Sequence, residues 1–502
     1  MRNQVQLIAY ADRLGGSLAD LGRILRDEFA GAFGGVHVLP FFEPFDGADA
    51  GFDPVDHTQV DPRLGSWDDV RELSQRYDTV VDLIVNHVST SSPQFQDVVA
   101  KGDQSPYADL FLTMSAVFPS GATEADLTSI YRPRPGLPFT PTTLGETRRL
   151  VWTTFTPQQV DIDVYSRSGR AYLTAILDAV AAAGVSMIRL DAVGYAVKKA
   201  GTACFMIPET FDFIDEFTAA ARHRGVDVLV EVHSYFRRQV EIGRSVDRVY
   251  DFALPPLILH ALYTGDGSAL AQWMQVRPAN AVTVLDTHDG IGVIDVGPDQ
   301  MAADPAQRPG LLTPTEIDAL VDGIHDRTAG ASRRATGWSA SNLDIYQVNS
   351  TFYDALGRDD LRYLTARALQ FFTPGIPQVY YVGALAGAND TELLARTGVG
   401  RDINRHYYTP EDIGAALERP VVRALLALCR FRNEFGVFDG TFNFTTDDSA
   451  GVLRYTWRAG QGESARHAEL VANLATDAAS LEWGTGGAIN RTEDLLEQPP
   501  AV

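Results

Sequence analysis

Residues 185–192, with the sequence VSMIRLDA, form a short apolar run that ends with Arg189 and Asp191. The segment before it, residues 166–184, repeats apolar side chains at helical spacing and ends at a glycine. The stripe consists of Leu173, Ile176, Leu177 and Val180, and the final glycine is Gly184. A helix followed by an apolar strand is typical of a parallel sheet that is covered on both faces.

Seven further runs along the chain have the same apolar, β-branched character. They are VQLIAYA (5–11), GVHVLPF (35–41), TVVDLIVNH (79–87), DVLVEVH (227–233), RVYDFAL (248–254), AVTVLDTHD (281–289) and IPQVYYVG (376–383). Eight strands that alternate with helical segments predict an α/β fold of the (β/α)₈ type, a TIM barrel.

Two long gaps interrupt the regular spacing of the strands, one after the third strand and one after the seventh. Gaps of this length predict subdomains inserted at the carboxyl ends of those strands, where barrel active sites assemble. We therefore assign residues 1–84, 166–290 and 357–437 to the catalytic barrel and residues 85–165 and 291–356 to insertions. Short alternating strands over residues 438–502 predict a small C-terminal β domain.

Composition and charge exclude several classes of protein. The 65 acidic residues outnumber the 42 basic ones, and a net charge of −23 repels polyanions, so we expect no nucleic-acid partner. No apolar run suits a signal peptide or the roughly 18 residues of a membrane span, so we expect no membrane association. The only cysteines, Cys204 and Cys429, cannot build a disulfide framework, which favours a cytoplasmic location.

Polar clusters follow four of the predicted strands. These clusters are DLIVNH (82–87), RLDAVGY (189–195), EVHS (231–234) and DTHDG (286–290). A charged group beyond an apolar strand needs a partner or a function, and the carboxyl ends of barrel strands meet at one rim. The pattern therefore predicts a catalytic site at that rim.

The carboxyl groups at the rim suit glycosyl transfer. A retaining enzyme uses two carboxyl groups about 5–5.5 Å apart, one as nucleophile and one as proton donor. Because Arg189 and Asp191 lie two residues apart on one strand, their side chains point to the same face. We expect the arginine's charge to keep Asp191 ionised, as a nucleophile requires.

These clusters resemble the catalytic segments of the α-amylase superfamily, glycoside hydrolase family 13. The resemblance extends over essentially the whole chain and is closest to the superfamily's phosphorylases that act on sucrose. The stretches that carry it are GADAGFDPVDHTQVDPRLGSWDD (47–69), YRPRPGLPFT (131–140), FTPQQVDIDV (155–164), SNLDIYQVNSTFY (341–353) and GRDINRHYY (400–408).

The resemblance implies roles for the residues around the transferred sugar. Asp191 would be the nucleophile, Glu231 the general acid/base and Asp289 the carboxylate that stabilises the transition state. The residues implied to bind the glucosyl ring are Asp49, His87, Arg189, His288 and Arg401, with Phe52 and Phe155 as apolar walls. Core packing of the two phenylalanines and a structural ion pair between Asp49 and Arg401 are the alternatives.

The resemblance also implies an acceptor side and partners, while the sequence carries no HExxH, CxxC or EF-hand-like motif and no Walker A or dinucleotide fingerprint, so we expect no cofactor. Arg134, His233 and Tyr346 match positions used for phosphate, and Tyr131, Asp344 and Gln347 match positions around the fructosyl unit. The expected partners are sucrose, inorganic phosphate, glucose 1-phosphate and fructose, and a homodimer is implied. The sequence requires no metal, although many amylases hold a calcium ion near the position of Asn86.

Several alternatives stay open at this stage. A phosphorylase for sucrose 6′-phosphate or glucosylglycerate, a sucrose hydrolase or a transglucosidase would share the same three carboxylates. Thr287 stands where many amylases have asparagine, which disfavours activity on polysaccharides. A catalytically inactive barrel used as a binding subunit would have lost at least one carboxylate, and all three are present.

Overall fold

The computed structural model describes residues 1–501 except 48, 134, 135, 303, 338–346 and 448. Eight parallel strands close into a barrel in which each strand pairs with its neighbours in chain order. They are β1 (Gln6–Ala9), β2 (Gly35–Val38), β3 (Asp78–Ile84), β4 (Met187–Asp191), β5 (Asp227–Val230), β6 (Arg248–Asp251), β7 (Ala281–Thr283) and β8 (Ile376–Tyr380). All eight coincide with predicted runs, and the predicted barrel is confirmed.

Helices follow the strands and cover the barrel. They are α1 (Leu18–Arg26), α2 (Trp67–Arg76), α3 (Arg167–Ala182), α4 (Pro208–Arg222), α5 (Phe236–Ile242), α6 (Leu254–Thr264), α7 (Asp360–Phe372) and α8 (Pro420–Glu434). The stripe of α3 is buried, and Gly184 terminates the helix in the left-handed region, at a φ of +74°. Within the described residues, no helix is long and apolar enough to cross a membrane.

The long connections after β3 and β7 carry their own secondary structure. The first contains a helix at Pro93–Lys101 and a hairpin of Phe139–Leu144 with Thr147–Trp152. The second contains the helix Pro314–Arg327 and a short antiparallel pairing in which Gly292 faces Gln347. Both connections start at the carboxyl end of the barrel and so reach over the predicted site. The domain boundaries themselves stay predictions.

A separate antiparallel sheet of five strands follows the barrel. Its strands are β9 (Thr441–Thr446), β10 (Val452–Ala459), β11 (Arg466–Asn473), β12 (Ala478–Thr485) and β13 (Asn490–Thr492). The indole nitrogen of Trp457 donates to the carbonyl of Phe372 at 2.8 Å, which ties the sheet to the end of α7. Cys204 and Cys429 are buried, and neither forms a disulfide.

A chain of polar side chains runs through the barrel interior. Its members, from six strands, are Gln6, Gln378, Tyr250, His37, Asp82 and Arg189. Each link is a hydrogen bond or a close polar contact, so most of these buried polar atoms have a partner, Gln6 Nε2 being an exception within the described residues. The chain ends at Arg189, directly below the predicted nucleophile, and therefore couples the site to the rigid barrel.

Candidate active site

The carboxyl ends of the barrel strands surround a cavity of about 300 Å³. Eleven of the residues predicted from the sequence line it: Asp49, Phe52, His87, Phe155, Asp191, Glu231, His233, His288, Asp289, Gln347 and Arg401. The cavity is the size of a small-molecule site and holds several ionisable groups, which is the combination expected of an active site.

Asp191 and Glu231 lie side by side because β4 and β5 pair in register, with Leu190 opposite Val230. Ala192 follows with a φ of +52°, a region that residues other than glycine rarely adopt. This turn directs the Ala192 amide to Glu231 Oε2, at 3.2 Å. A strained residue beside the predicted nucleophile therefore helps to hold the predicted acid/base.

Arg189 lies beneath both carboxyl groups, almost fully buried. Its Nη1 donates to Asp191 Oδ1 at 2.9 Å and also to Asp82, and its Nη2 is 3.7 Å from Glu231 Oε1. Burial opposes ionisation of Asp82, but Arg189 and His37 outweigh it and lower the pKa of Asp82 to about 2. One guanidinium is thus shared by three carboxyl groups, of which Asp82 is firmly anionic.

The expected effect of Arg189 on Asp191 needs correction. Burial raises the pKa of Asp191 well above its usual range, Arg189 lowers it, and the neighbouring Glu231 raises it further. Desolvation and the second carboxyl group therefore outweigh the single arginine, whose charge Asp82 already partly neutralises. Such a site disfavours the ionised form of Asp191 while the cavity holds no substrate.

Asp289, by contrast, is held as an anion. Burial opposes its ionisation, but Arg401, with Arg405, keeps its pKa well below the usual range. Arg401 Nη1 is 3.0 Å from Asp289 Oδ1, and the same nitrogen is 3.6 Å from Asp49 Oδ2. The ion pair of Asp49 and Arg401, which was the alternative to sugar binding, is therefore present at the cavity wall, where it also helps to position Asp289.

Aromatic and imidazole rings form another wall of the cavity. Phe52 stacks on His288 with ring centroids 4.7 Å apart, and Phe155 meets His87 edge-on at 5.4 Å. His87 Nε2 lies 2.9 Å from the carbonyl oxygen of Phe52, to which it donates. Burial lowers the pKa of His288 to about 3, so its ring is neutral. Both phenylalanines line the cavity, and Phe52 also belongs to the buried hydrophobic core, against which Phe155 packs.

The predicted acceptor residues are placed only in part. His233 and Gln347 line the cavity, with the Gln347 amide nitrogen 3.3 Å from His233 Nε2. Tyr131 lies outside the lining and stacks on Phe205, with ring centroids 4.5 Å apart. Arg134, Asp344 and Tyr346 lie outside the described residues.

Sequence reasoning missed several lining residues, including Gln159, Tyr195, Phe205 and Asn349. Gln159 lies in the quoted stretch 155–164, and Tyr195 ends the RLDAVGY cluster, so both positions carried a signal. Amides and aromatic rings have no distinctive chemistry in a sequence, whereas carboxylates after strands do. Asn349 likewise lies in the quoted stretch 341–353, whereas Phe205 carried no comparable signal.

Asn86, near which many amylases hold calcium, contacts a lysine. Lys198 Nζ donates to Asn86 Oδ1 at 2.7 Å and to the Tyr195 carbonyl oxygen. Another group of possible metal ligands, Glu231, His233 and Asp289, has its ligand atoms within 4.8 Å of one another. There Arg401 already neutralises Asp289, and Asp295 engages His233 Nδ1.

Comparisons with known proteins agree with this architecture. Residues 32–242 match the family model of the alpha amylase catalytic domain. The chain is 58% identical to sucrose phosphorylase of Bifidobacterium adolescentis over 100% of both chains, and 58% identical to sucrose phosphorylase of Agrobacterium vitis over 96% of this chain and 97% of that one. The crystal structure of sucrose 6F-phosphate phosphorylase from Thermoanaerobacter thermosaccharolyticum superposes with a TM-score of 0.89 at 37% identity, covering 98% of each chain. The chain therefore belongs to the sucrose phosphorylases of the α-amylase superfamily.

Proposed function

We propose that this enzyme transfers the glucosyl group of sucrose to inorganic phosphate, giving α-D-glucose 1-phosphate and D-fructose reversibly. The observation that carries the proposal is the pairing of Asp191 and Glu231 over Arg189 at the floor of the cavity. The full-length identity to two sucrose phosphorylases supports the choice of donor and acceptor.

In the first half-reaction, Asp191 attacks the anomeric carbon of glucose. The bond from that carbon to the fructosyl oxygen breaks, and Glu231 gives its proton to this oxygen, so that fructose leaves. Asp191 accepts a hydrogen bond from Arg189, which offsets part of the cost of holding the buried nucleophile as an anion. Asp289, held ionised by Arg401, stabilises the positive charge that develops on the sugar.

In the second half-reaction, a phosphate oxygen attacks the same carbon from the opposite side. The ester bond to Asp191 breaks, and Glu231 recovers a proton from phosphate. Two inversions restore the α configuration of the donor. His233 lies beside Glu231 at the cavity wall and is a candidate to bind phosphate. Arg134 and Tyr346 complete that proposed group on the basis of the sequence resemblance.

We place the enzyme in the cytoplasm as a homodimer, which accords with the free cysteines and the family resemblance. The proposal needs no metal ion or organic cofactor in either half-reaction. Side transfer of the glucosyl group to water or other acceptors follows from the same covalent intermediate, since any nucleophile that fits can attack it.

The deciding experiment incubates the enzyme with sucrose and phosphate and follows the products by NMR. We expect α-glucose 1-phosphate and fructose, and a glucosyl ester on Asp191 when the reaction is stopped in acid. A β-configured product would contradict the double displacement. Sucrose 6′-phosphate serves as the competing donor, because a relative that is 40% identical is a sucrose 6(F)-phosphate phosphorylase. Faster turnover of that donor would reassign the substrate.

A further inference from the structure

A fully buried carboxylate, Asp295, supports His233 from the side away from the cavity. His233 Nδ1 lies 2.8 Å from Asp295 Oδ2. Asp295 Oδ1 accepts hydrogen bonds from the Ser234 amide at 3.1 Å and from Gln239 Nε2 at 2.9 Å. Since a carboxylate only accepts, the His233 Nδ1–H must be the donor, and the ring's Nε2 is left to face the cavity side.

The pair has little room to move. The His233 ring stacks on Phe252 with centroids 3.9 Å apart. Gly292 packs against Asp295 and His233 so closely that a Cβ at this position would overlap with Asp295 Oδ2 and lie 3.1 Å from His233 Nδ1. A stacked ring and a glycine contact therefore hold the imidazole in one orientation.

The other ring nitrogen faces groups of the site. His233 Nε2 is 3.3 Å from Gln347 Nε2 and 3.7 Å from Glu231 Oε1. The Gln347 Oε1 accepts from the Gly290 amide at 3.2 Å, which fixes the amide with its N–H toward His233. In this arrangement Nε2 accepts from Gln347 when the ring is neutral, and can donate to an anion only after it takes up a proton.

We propose that Asp295 is a positioning residue for phosphate capture. Because the Nδ1–H of His233 donates to Asp295, Nε2 is the ring nitrogen that can take up a proton from solvent. The resulting Nε2–H then donates a hydrogen bond to a phosphate oxygen. The inference rests on the proposed function, because it assigns the role of His233 in the second half-reaction.

The surrounding charges support this assignment. Among the described residues, the titratable groups that act on His233 include Asp295, Glu231 and Asp289, and the Arg238–Asp299 ion pair lines a second, small cavity together with His233. Burial disfavours the imidazolium, but Asp295 and then Glu231 outweigh it and raise the pKa of His233. A raised pKa keeps the imidazolium present to higher pH, and phosphate capture should weaken once the pH rises through that value.

The test measures how the glucosyl-enzyme divides between phosphate and water. Glucosyl fluoride forms the intermediate, and the ratio of glucose 1-phosphate to glucose is recorded between about pH 5 and pH 8.5 for the wild type and for Asp295→Asn. Dividing the variant's ratio by the wild-type ratio at each pH cancels the effect of phosphate ionisation, because that effect is the same for both proteins. We expect the ratio of glucose 1-phosphate to glucose in Asp295→Asn to be slightly below the wild-type ratio at acid pH. At alkaline pH it should be lower by roughly ten- to hundredfold, which is the effect of losing a charged hydrogen bond.

Asp299→Asn is the matched control, because Asp299 is also buried and pairs with Arg238 and Arg308 rather than with His233. It should lower thermal stability without a pH-dependent change in the product ratio. A loss in Asp295→Asn that is equal at every pH, or no loss, would overturn the proposal. If the wild type forms no glucose 1-phosphate from sucrose and phosphate, the proposed function fails instead.

Histidine NMR of the wild type keeps the inference testable should Asp295→Asn fail to fold. The chain has 10 histidines, and the His233 signal is identified by its loss in His233→Gln. We expect the titration midpoint of His233 to rise when inorganic phosphate is added. A midpoint that phosphate leaves unchanged would overturn the inference.

Discussion

Lys198 Nζ lies 2.7 Å from Asp161 Oδ2, and both side chains are almost completely buried, at 1% and 0% exposure. With Asn86 Oδ1 and the Tyr195 carbonyl, three oxygen atoms surround one ammonium group. Many amylases hold calcium near the position of Asn86, and in this protein the Lys198 ammonium group contacts that residue. The pair joins the first insertion, through Asp161, to the segment that follows β4.

We expect Lys198→Ala to destabilise the fold by about 3–5 kcal/mol, because it leaves a buried aspartate without its partner. Calcium should raise the thermal midpoint of this variant by binding the freed oxygens and should leave the wild type unchanged. Lys199→Ala is the control, since its ion pair with Glu209 is exposed and contributes at most about 1 kcal/mol. If calcium does not raise the thermal midpoint of Lys198→Ala, the oxygen atoms around the Lys198 ammonium group do not form a site that can bind another cation.

Arg401 and Asp289 give a prediction about pH. Asp289 has a depressed pKa in the folded protein, so it stabilises the fold above its unfolded pKa, and this contribution is lost as the pH falls through the folded value. Removing Arg401 should raise that folded pKa. We therefore expect Arg401→Gln to lose kcat/KM for sucrose at all pH values, with an extra loss at acid pH as Asp289 takes up a proton.

The measurement is the ratio of variant to wild-type kcat/KM across the acid range, with the exposed Arg396→Gln as control. A ratio that stays flat as the pH falls would mean that Arg401 binds sugar without holding Asp289 ionised. In that case Arg405, 3.9 Å from Asp289, would suffice to keep the carboxylate charged.

Glu231→Gln tests the proton donor. Without the acid, departure of fructose should slow by a factor of about 10²–10⁴. Glucosyl fluoride has a leaving group that needs no proton, so formation of the glucosyl-enzyme from it should be much less affected. Glu241→Gln, on the exposed face of α5, should change neither rate. Equal losses with both donors would exclude Glu231 as the acid.

The barrel could be predicted because its strands are apolar runs with a shared length and polar ends. The seventh strand was predicted too long: it ends at Thr283, and Asp286 beyond it pairs with the buried Arg367 at 2.5 Å. Sequence alone could not give the charge state of Asp191, since burial and the neighbouring Glu231 outweigh Arg189. Nor could it pair Lys198 with Asn86, which lies 112 residues away along the chain.

The last prediction concerns why the intermediate reacts with phosphate rather than with water. Water is far more concentrated than phosphate in a cell, so phosphate must be captured and aligned against the glucosyl carbon, and such positioning can contribute many kcal/mol. Arg134 lies in the sequence YRPRPG, where prolines on both sides restrict the backbone. We expect Arg134→Ala to raise the KM for phosphate and the hydrolysed fraction of sucrose, because a planar guanidinium donates to phosphate in pairs. Formation of the glucosyl-enzyme should change little, since Asp191, Glu231 and Asp289 are retained.

Arg132→Ala is the matched control, because the Arg132 guanidinium donates to the Gly136 carbonyl at 3.0 Å. The measurement is the ratio of glucose to glucose 1-phosphate as phosphate is varied. An Arg134 variant whose ratio equals that of the wild type at every phosphate concentration would move the phosphate site away from this loop and leave His233 as its remaining described candidate.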